Sequence, residues 1–259
     1  MRAATLVLGL FGLAASSAEA QVRPFVYSIA TGTVEADSDG RRTTAYYDTG
    51  YADTTSGPTA YDGLEQRIGF QGSLGRGATV VAHVAFGLDA QATRTSEDVE
   101  LLQDLLSSPR FHLAIGGGGR REWSGGATAL GRVSIGWTGG STLVCGNLRI
   151  EKPFSQGRDT VDLISSLGVM HRLAHGVRVG FEAVGEDLEG FWDATEAEGG
   201  ATLYAGPALH WTIPNRRLWA SVGGGPVVHA TRTGLSSLAP RDLQGAAGYT
   251  IRVSVGYVF

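Results

Sequence analysis

The histidines are the side chains of this sequence best suited to acid–base chemistry or metal binding. There are six, namely His83, His112, His171, His175, His210 and His229. The alternating pattern described below places His83, His112, His210 and His229 on inward strand faces, where we expect polar packing rather than catalysis. Cys145 is the only cysteine, which excludes an internal disulfide framework and a cysteine-rich zinc site.

A serine close to a histidine would allow nucleophilic catalysis, but the two must be within hydrogen-bond reach. His171 is predicted to face outward, and Ser165 shares its face. Six residues of extended chain separate the two, which is about 20 Å at roughly 3.3 Å per residue. This pair is therefore predicted to be inactive. The sequence also lacks the Gly-x-Ser-x-Gly elbow of many hydrolases.

Two further segments have compositions found in ligand sites. The glycines at 116–119 are not followed by the Lys-Ser/Thr of a phosphate loop, so they indicate backbone flexibility where a strand becomes a loop. The acidic segment 186–198 could gather calcium, but it lacks the aspartate order of a calcium loop. We predict a solvated loop there, and no catalytic residue, cofactor or metal in the chain.

Strands are predicted to carry these residues. The chain has 259 residues, 39 of them glycine, and its net charge of −4 gives no reason to expect a nucleic-acid partner. Period-two alternation dominates, and in the closing segment one face carries Tyr249, Ile251, Val253, Val255, Tyr257 and Phe259. The pattern predicts twelve strands, at 25–34, 43–52, 64–72, 78–89, 109–118, 129–138, 141–151, 159–173, 176–187, 200–213, 216–230 and 248–259.

Tight turns predict the register of three hairpins, because the turn length fixes which residues are opposite. We expect these turns at Gly139-Gly140, Pro214-Asn215 and 174–176. The pairs that follow include Ile135 with Val144, Trp211 with Leu218, and Val169 with Phe181. Apolar or small side chains then meet across each hairpin.

The order of connections is less regular in the N-terminal half. In the C-terminal half, short and long connections alternate, as in outer-membrane barrels. A short turn at Leu74 to Gly77 would fall at the wrong end in this scheme, and residues 90–108 carry leucines at helical spacing. Either a short helix lies within 95–108, or the strand count is wrong by a pair, so that ten strands is the alternative.

The first twenty residues have the pattern of a secretory signal peptide. Arg2 precedes an apolar run from Ala3 to Ala15, and small residues at Ala18 and Ala20 suit cleavage after Ala20. We therefore expect a mature domain of residues 21–259, which is exported.

Two architectures could bury the apolar faces. A soluble β-sandwich would pack them between two sheets, whereas a membrane barrel would turn them toward lipid. Long strands and outward aromatics near the short turns, such as Trp137 and Trp211, favour an antiparallel up-and-down transmembrane barrel. The residues predicted to line its lumen are Arg132, Arg149, Asp162, Arg178, Glu182, Glu186, His210 and Arg252.

The final run, from Ile251 to Phe259, resembles the C-terminal strand of Gram-negative outer-membrane β-barrel proteins. The resemblance implies that the barrel-assembly machinery reads Tyr257 and Phe259. It implies location in the bacterial outer membrane and contact with its lipid, without identifying a subfamily.

A passive role follows from these observations. We expect a narrow channel, or a structural or surface barrel, with no catalytic activity and a solute that the sequence does not identify. The alternatives are an outer-membrane lipid-modifying hydrolase and a soluble secreted β-sandwich that binds a ligand.

Overall fold

The described part of the chain forms one closed antiparallel barrel. The computed structural model describes residues 43–53, 63–89, 93–123, 125–154, 161–186, 188, 201–213, 217–230 and 248–259. Its twelve strands are β1 (Thr43–Asp53), β2 (Gly63–Gly75), β3 (Ala78–Asp89), β4 (Thr93–Ser107), β5 (Phe111–Glu122), β6 (Ala127–Gly139), β7 (Thr142–Pro153), β8 (Asp162–Ala174), β9 (Val177–Glu186), β10 (Ala201–Ile213), β11 (Leu218–Ala230) and β12 (Gly248–Val258). Each strand pairs with its sequence neighbours, and β1 pairs with β12 to close the ring.

Side chains alternate between a charged interior and an apolar exterior. On β12, Ile251 and Val253 are 52% and 41% exposed. The residues that alternate with them, Arg252 and Ser254, are 3% and 0% exposed. This is the reverse of a soluble protein, where charged side chains are almost never fully buried unless paired. The expectation of an up-and-down barrel of twelve strands is confirmed, and the soluble β-sandwich is wrong because the apolar faces are not packed against a second sheet.

Residues 93–107 form strand β4, so of the two alternatives the short helix within 95–108 is excluded. Val99 and Leu101 lie on the exposed face, while Leu102 is buried on the inner face. A register shift between Asp104 and Leu106 then alters the alternation near the end of the strand. The leucines are therefore spaced as on one face of a helix although the segment is a strand. Hydrogen bonds to β3 on one side and β5 on the other keep its backbone extended.

The presence of β4 also resolves the irregular order of connections. The connections at 76–77, 108–110, 140–141 and 175–176, each of two or three residues, all fall at one end of the barrel, and the three residues between β3 and β4 are the one equally short connection at the other end. The connection that follows β10 falls at the same end, where β12 also finishes. We call this the short-turn end. The ten-strand alternative is therefore wrong.

Two of the three predicted hairpin registers are displaced by two residues. Trp137, rather than Ile135, lies opposite Val144, and the turn is Gly140-Ser141, where Gly140 has a φ of 60°. Similarly, Ala220 lies opposite Trp211. A displacement of two keeps every side chain on its face, so the alternation could not detect it. The third hairpin is as predicted, with Val169 opposite Phe181.

Aromatic rings over glycines pack the strands on both sides of the closure. The Trp219 ring on β11 lies over Gly256 of β12, where an added Cβ would come within 2.2 Å of the ring. The Tyr46 ring on β1 likewise covers Gly69 of β2. The two rings are themselves 6.4 Å apart. These glycines leave the space that the rings fill inside the barrel.

Several predicted features lie outside the described residues. They are the signal peptide at 1–20, the strand at 25–34 and most of the acidic segment 186–198. The described barrel contains twelve strands without 25–34, because β4 supplies the twelfth.

Candidate functional site: the barrel interior

The residues predicted to line a lumen lie on the inner face of the barrel. Five of them are buried, namely Arg132, Arg149, Asp162, Glu182 and Arg252. The other three, Arg178, Glu186 and His210, are half-buried. Strands β6 to β12 carry all eight.

Strands β3 to β7 hold a connected group of ion pairs, which we call the β3–β7 cluster. Its members are His83, Asp98, Glu100, Arg120, Arg132, Arg149 and Glu151. Arg120 binds Glu151 through two hydrogen bonds of 2.7 and 2.9 Å. Such two-point pairing is geometrically specific and stronger than a neutral hydrogen bond.

Two arginines reach from later strands back to the carboxylates of β4. Arg149 Nη2 on β7 lies 2.9 Å from Asp98 Oδ2, and Arg132 Nη2 on β6 lies 2.5 Å from Glu100 Oε1. Arg149 Nη2 is also 3.4 Å from Glu100 Oε1. Neither β6 nor β7 pairs with β4, so these side chains extend across the interior rather than along the wall.

The glycines of β5 make room for this arrangement. Gly116 lies opposite Arg132 on β6, and Gly118 lies opposite Glu100 on β4. The Arg132–Glu100 pair therefore crosses β5 where that strand has no inward side chain. The predicted role of residues 116–119 as a flexible transition to a loop is wrong, since they lie in the middle of a regular strand.

A second group of charges sits where the barrel closes, and we call it the closure cluster. It contains Asp48, Glu65, Arg67 and Arg252, from β1, β2 and β12. Arg67 Nη2 lies 2.5 Å from Glu65 Oε1, and Arg252 Nη2 lies 3.6 Å from Asp48 Oδ2. Ser254 donates a 3.0 Å hydrogen bond to Asp48. The charges on three adjacent strands are thus paired inside the wall.

Glu182 on β9 is hydrogen-bonded to neither cluster, although Arg252 of the closure cluster is close enough to act on its charge. It is 1% exposed, and the Tyr204 hydroxyl of β10 donates a 3.1 Å hydrogen bond to its Oε1. Its Oε2 is buried without a hydrogen-bond partner. A buried acceptor with no partner is unfavourable.

Part of the inner face is apolar. Leu143, Cys145, Met170 and Ala208 form a buried cluster on β7, β8 and β10, toward the short-turn end. Cys145 lies on the inner face, where it is 3% exposed. An apolar patch therefore interrupts the charged interior on these three strands.

Sequence reasoning missed the partners that complete both clusters. Asp98 and Glu100 were assigned to a possible helix, while Asp48, Glu65 and Arg67 were not considered. The alternation of Ser96, Asp98, Glu100 and Leu102, all of which are buried, is a signal that could have found the β4 acids.

An outward Ser–His contact is present, but with a different serine from the one considered. Ser141 Oγ lies 3.3 Å from His171 Nε2 and 3.4 Å from Nδ1. Near-equal distances to both ring nitrogens show that the hydroxyl does not point at one acceptor, as a general base requires. In the described part of the chain, the other hydrogen-bond partner of His171 is Thr142, not a carboxylate that would orient the ring.

The described part of the chain shows no metal site. Among the described positions, no group of three or more His, Cys, Asp or Glu side chains is arranged to hold a metal ion. In this part of the chain there is also no helix with the length and apolar character needed to cross a bilayer.

Comparison with solved structures identifies the architecture. The KdgM porin in complex with disordered oligogalacturonate aligns at a TM-score of 0.57 and 12% identity, covering 83% of this chain and 99% of that one. The NanC porin aligns at 0.58 and 11%, covering 82% and 98%. No family model matches the sequence, and no curated protein matches it. This chain thus has the fold of these outer-membrane barrels.

Proposed function

We propose that this protein is a passive, narrow channel in a bacterial outer membrane and has no catalytic activity. The observation that carries the proposal is the inverted barrel, with aliphatic and aromatic side chains outside and paired charges inside. Such an outer surface is favourable only in contact with lipid acyl chains, because contiguous exposed apolar surface of this extent is rare on soluble proteins.

The outer surface also supports a membrane position. Trp137 and Trp211 are 43% and 46% exposed near the short-turn end, together with Tyr257 and Phe259. Aromatic rings of this kind collect at membrane–water boundaries. We propose that the short-turn end faces the periplasm, that residues 1–20 are removed on export, and that the assembly machinery reads Tyr257 and Phe259.

The interior supports a restricted passage. In a wide aqueous lumen the wall charges would be open to water, but Glu100 is 0% exposed and Arg132 is 2% exposed. Side chains therefore fill the barrel at this level, as barrels with few strands allow. Arginines and carboxylates face the same space, so the predicted selectivity between ions is weak.

Lipid contact can be tested with single-tryptophan variants reconstituted with brominated phospholipid. Trp211 should be quenched, because its ring faces outward, whereas Trp219 should be protected inside the barrel. Equal protection of both rings would contradict a membrane barrel.

Channel activity needs a separate measurement. In planar bilayers the protein should produce small, steady conductance steps. Folded protein with lipid-quenched Trp211 and no conductance would leave the membrane assignment in place and reject the channel.

A further inference from the structure

The pairing of β10 with β11 is interrupted in the middle of both strands. Tyr204 lies opposite Val227, and Ala208 lies opposite Gly223, in one unbroken register. The three positions between them on each strand, 205–207 and 224–226, form no ladder pairs with each other. The same residues remain paired with β9 and β12 on their other sides. We call this stretch the β10–β11 seam.

Two prolines explain the interruption. Successive residues of a strand direct their peptide groups to opposite neighbours. Thr212 donates to Gly176 on the β9 side, so odd-numbered residues of β10, including Pro207, face β11. Val258 of β12 donates to Arg217, so even-numbered residues of β11, including Pro226, face β10.

Each proline therefore removes a hydrogen-bond donor from the same seam. The hydrogen-bonded positions would pair residue 205 with Pro226 and Pro207 with residue 224, as the register on either side requires. A proline has no N–H group to donate. Proline is normally confined to the edges or bulges of a sheet, and a closed barrel has no edge.

The seam is closed by contact between glycine backbones. A Cβ added to Gly206 would lie 2.0 Å from the Gly224 carbonyl oxygen, and one added to Gly225 would lie 2.4 Å from that of Ala205. The wall here has no side chain at Gly206, Gly224 or Gly225. It is thus thin as well as poorly hydrogen-bonded.

An apolar groove lies against the outer side of the seam. It has a volume of about 620 Å³, and its lining includes Pro207, Leu209, Val222 and Ile251, with Gly224 between them. These four larger side chains are all exposed. A groove of this size is in the range of small-molecule sites.

The inner side of the seam presents a buried carboxylate, Glu182, that is hydrogen-bonded to neither ion-pair cluster. Gly206 lies directly opposite Glu182 on the inner face. Glu182 Oε2 has no hydrogen-bond partner, and Tyr204 occupies only Oε1. Arg252 already contributes a positive charge nearby, but a ligand ammonium group would supply the missing donor to Oε2.

We infer that the β10–β11 seam is a lateral opening, through which a cationic amphiphile passes between the lumen and the bilayer, with its chain in the outer groove and its amine at Glu182. The inference rests on the proposed membrane position of the barrel. This lateral route is separate from conduction along the barrel axis, because the seam lies in the wall and not across the lumen.

A reversible cross-link tests the opening. In a Cys145→Ser background, Leu209→Cys with Val222→Cys would join the strands beside the seam, at positions directly opposite and exposed. Val169→Cys with Phe181→Cys makes the same cross-link in the β8–β9 hairpin, where pairing is continuous from Ile164 to Arg172, and is the matched control. A second variant, Pro207→Val with Pro226→Val, restores both donors without a cross-link.

The probe is a C12 primary alkylamine carrying a photoreactive diazirine, used with the protein in lipid vesicles. We expect labelling of inward Tyr204 and Val227 in the control, loss of that labelling in the oxidised lock and the proline variant, and recovery on reduction. Inner labelling that persists in the oxidised lock would overturn the lateral opening. Conductance along the barrel axis, recorded on the same samples, should be equal in all of them. If no sample conducts, the proposed channel is rejected, whatever the labelling shows.

The role of Glu182 is tested with Glu182→Gln and with the C12 alcohol that carries the same diazirine. The substitution should reduce inner labelling by the amine and leave labelling by the alcohol unchanged. Equal labelling by the amine before and after the substitution would overturn the assignment of a cationic ligand.

Discussion

Arg132 and Glu100 form an ion pair across strand β5, with 2.5 Å between Arg132 Nη2 and Glu100 Oε1. They belong to β6 and β4, which are not neighbours, and they meet because β5 presents Gly116 and Gly118 between them. Both side chains of the pair have no exposure to solvent. Residues far apart in the chain are thereby tied together inside the barrel.

The glycines beneath this pair should tolerate little substitution. A Cβ at Gly118 would lie 1.9 Å from the Val99 carbonyl oxygen. We expect Gly118→Ala to lower the free energy of unfolding by about 1–3 kcal/mol, the usual range for overpacking. Urea unfolding in detergent measures this change. Gly119→Ala is the control, since its Cβ would meet nothing closer than 3.7 Å, and equal losses would refute the explanation.

Removing one member of the pair should be worse than removing both. Glu100→Leu leaves the Arg132 guanidinium buried without this partner, which typically costs about 3–5 kcal/mol. Adding Arg132→Met should recover most of that stability, because no isolated charge remains. The same unfolding assay measures the variants. A double variant as unstable as the single one would show that shape, not charge pairing, matters here.

The pair should also limit conductance. Truncating both side chains, with Glu100→Ala and Arg132→Ala, empties part of the filled section, so single-channel conductance should increase. Ile135→Ala on the outward face of the same strand is the control and should leave conductance unchanged. If both proteins conduct alike, the narrowest part of the passage lies elsewhere.

Ion selectivity should be weak and should shift with single interior charges. Arg252→Gln removes a positive charge from the closure cluster and should move the reversal potential in a salt gradient toward cation preference. Glu65→Gln, in the same cluster, should move it in the opposite direction. Strong selectivity for one sign in the unmodified protein would contradict the proposed balance of charge.

The register of β6 and β7 can be tested with cysteine pairs in a Cys145→Ser background. Trp137→Cys with Val144→Cys should form a disulfide, because these residues are directly opposite. Ile135→Cys with Val144→Cys should remain reduced, since diagonal positions are separated by about 7–8 Å. Gel mobility after mild oxidation distinguishes them. The reverse result would restore the register that the sequence suggested.

Much of the wall could be predicted from local alternation. Arg252 and Ser254 are inward while Ile251 and Val253 are outward, as the pattern of the last strand requires. The prediction failed at β4, where leucines on both faces resemble one helical stripe. It also missed displacements of two residues in two hairpins, because such displacements preserve the faces.

The contacts inside the barrel were beyond local reasoning. Nothing near Arg149 in the chain indicates Asp98, which is 51 residues away, as its partner. Similarly, Pro207 and Pro226 each look like an isolated irregularity in a strand. Their common effect follows only once β10 and β11 are aligned and both missing donors are seen to face one seam.

The sequence by itself determined that this chain forms strands with one apolar and one charged face, because side chains alternate every residue along an extended backbone. Only the tertiary structure decided which charges pair, how the glycines of β5 let Arg132 reach Glu100, and where the wall lacks hydrogen bonds. Closure sets those relationships, since it brings strands that are distant in the chain around one interior and aligns each strand with both neighbours.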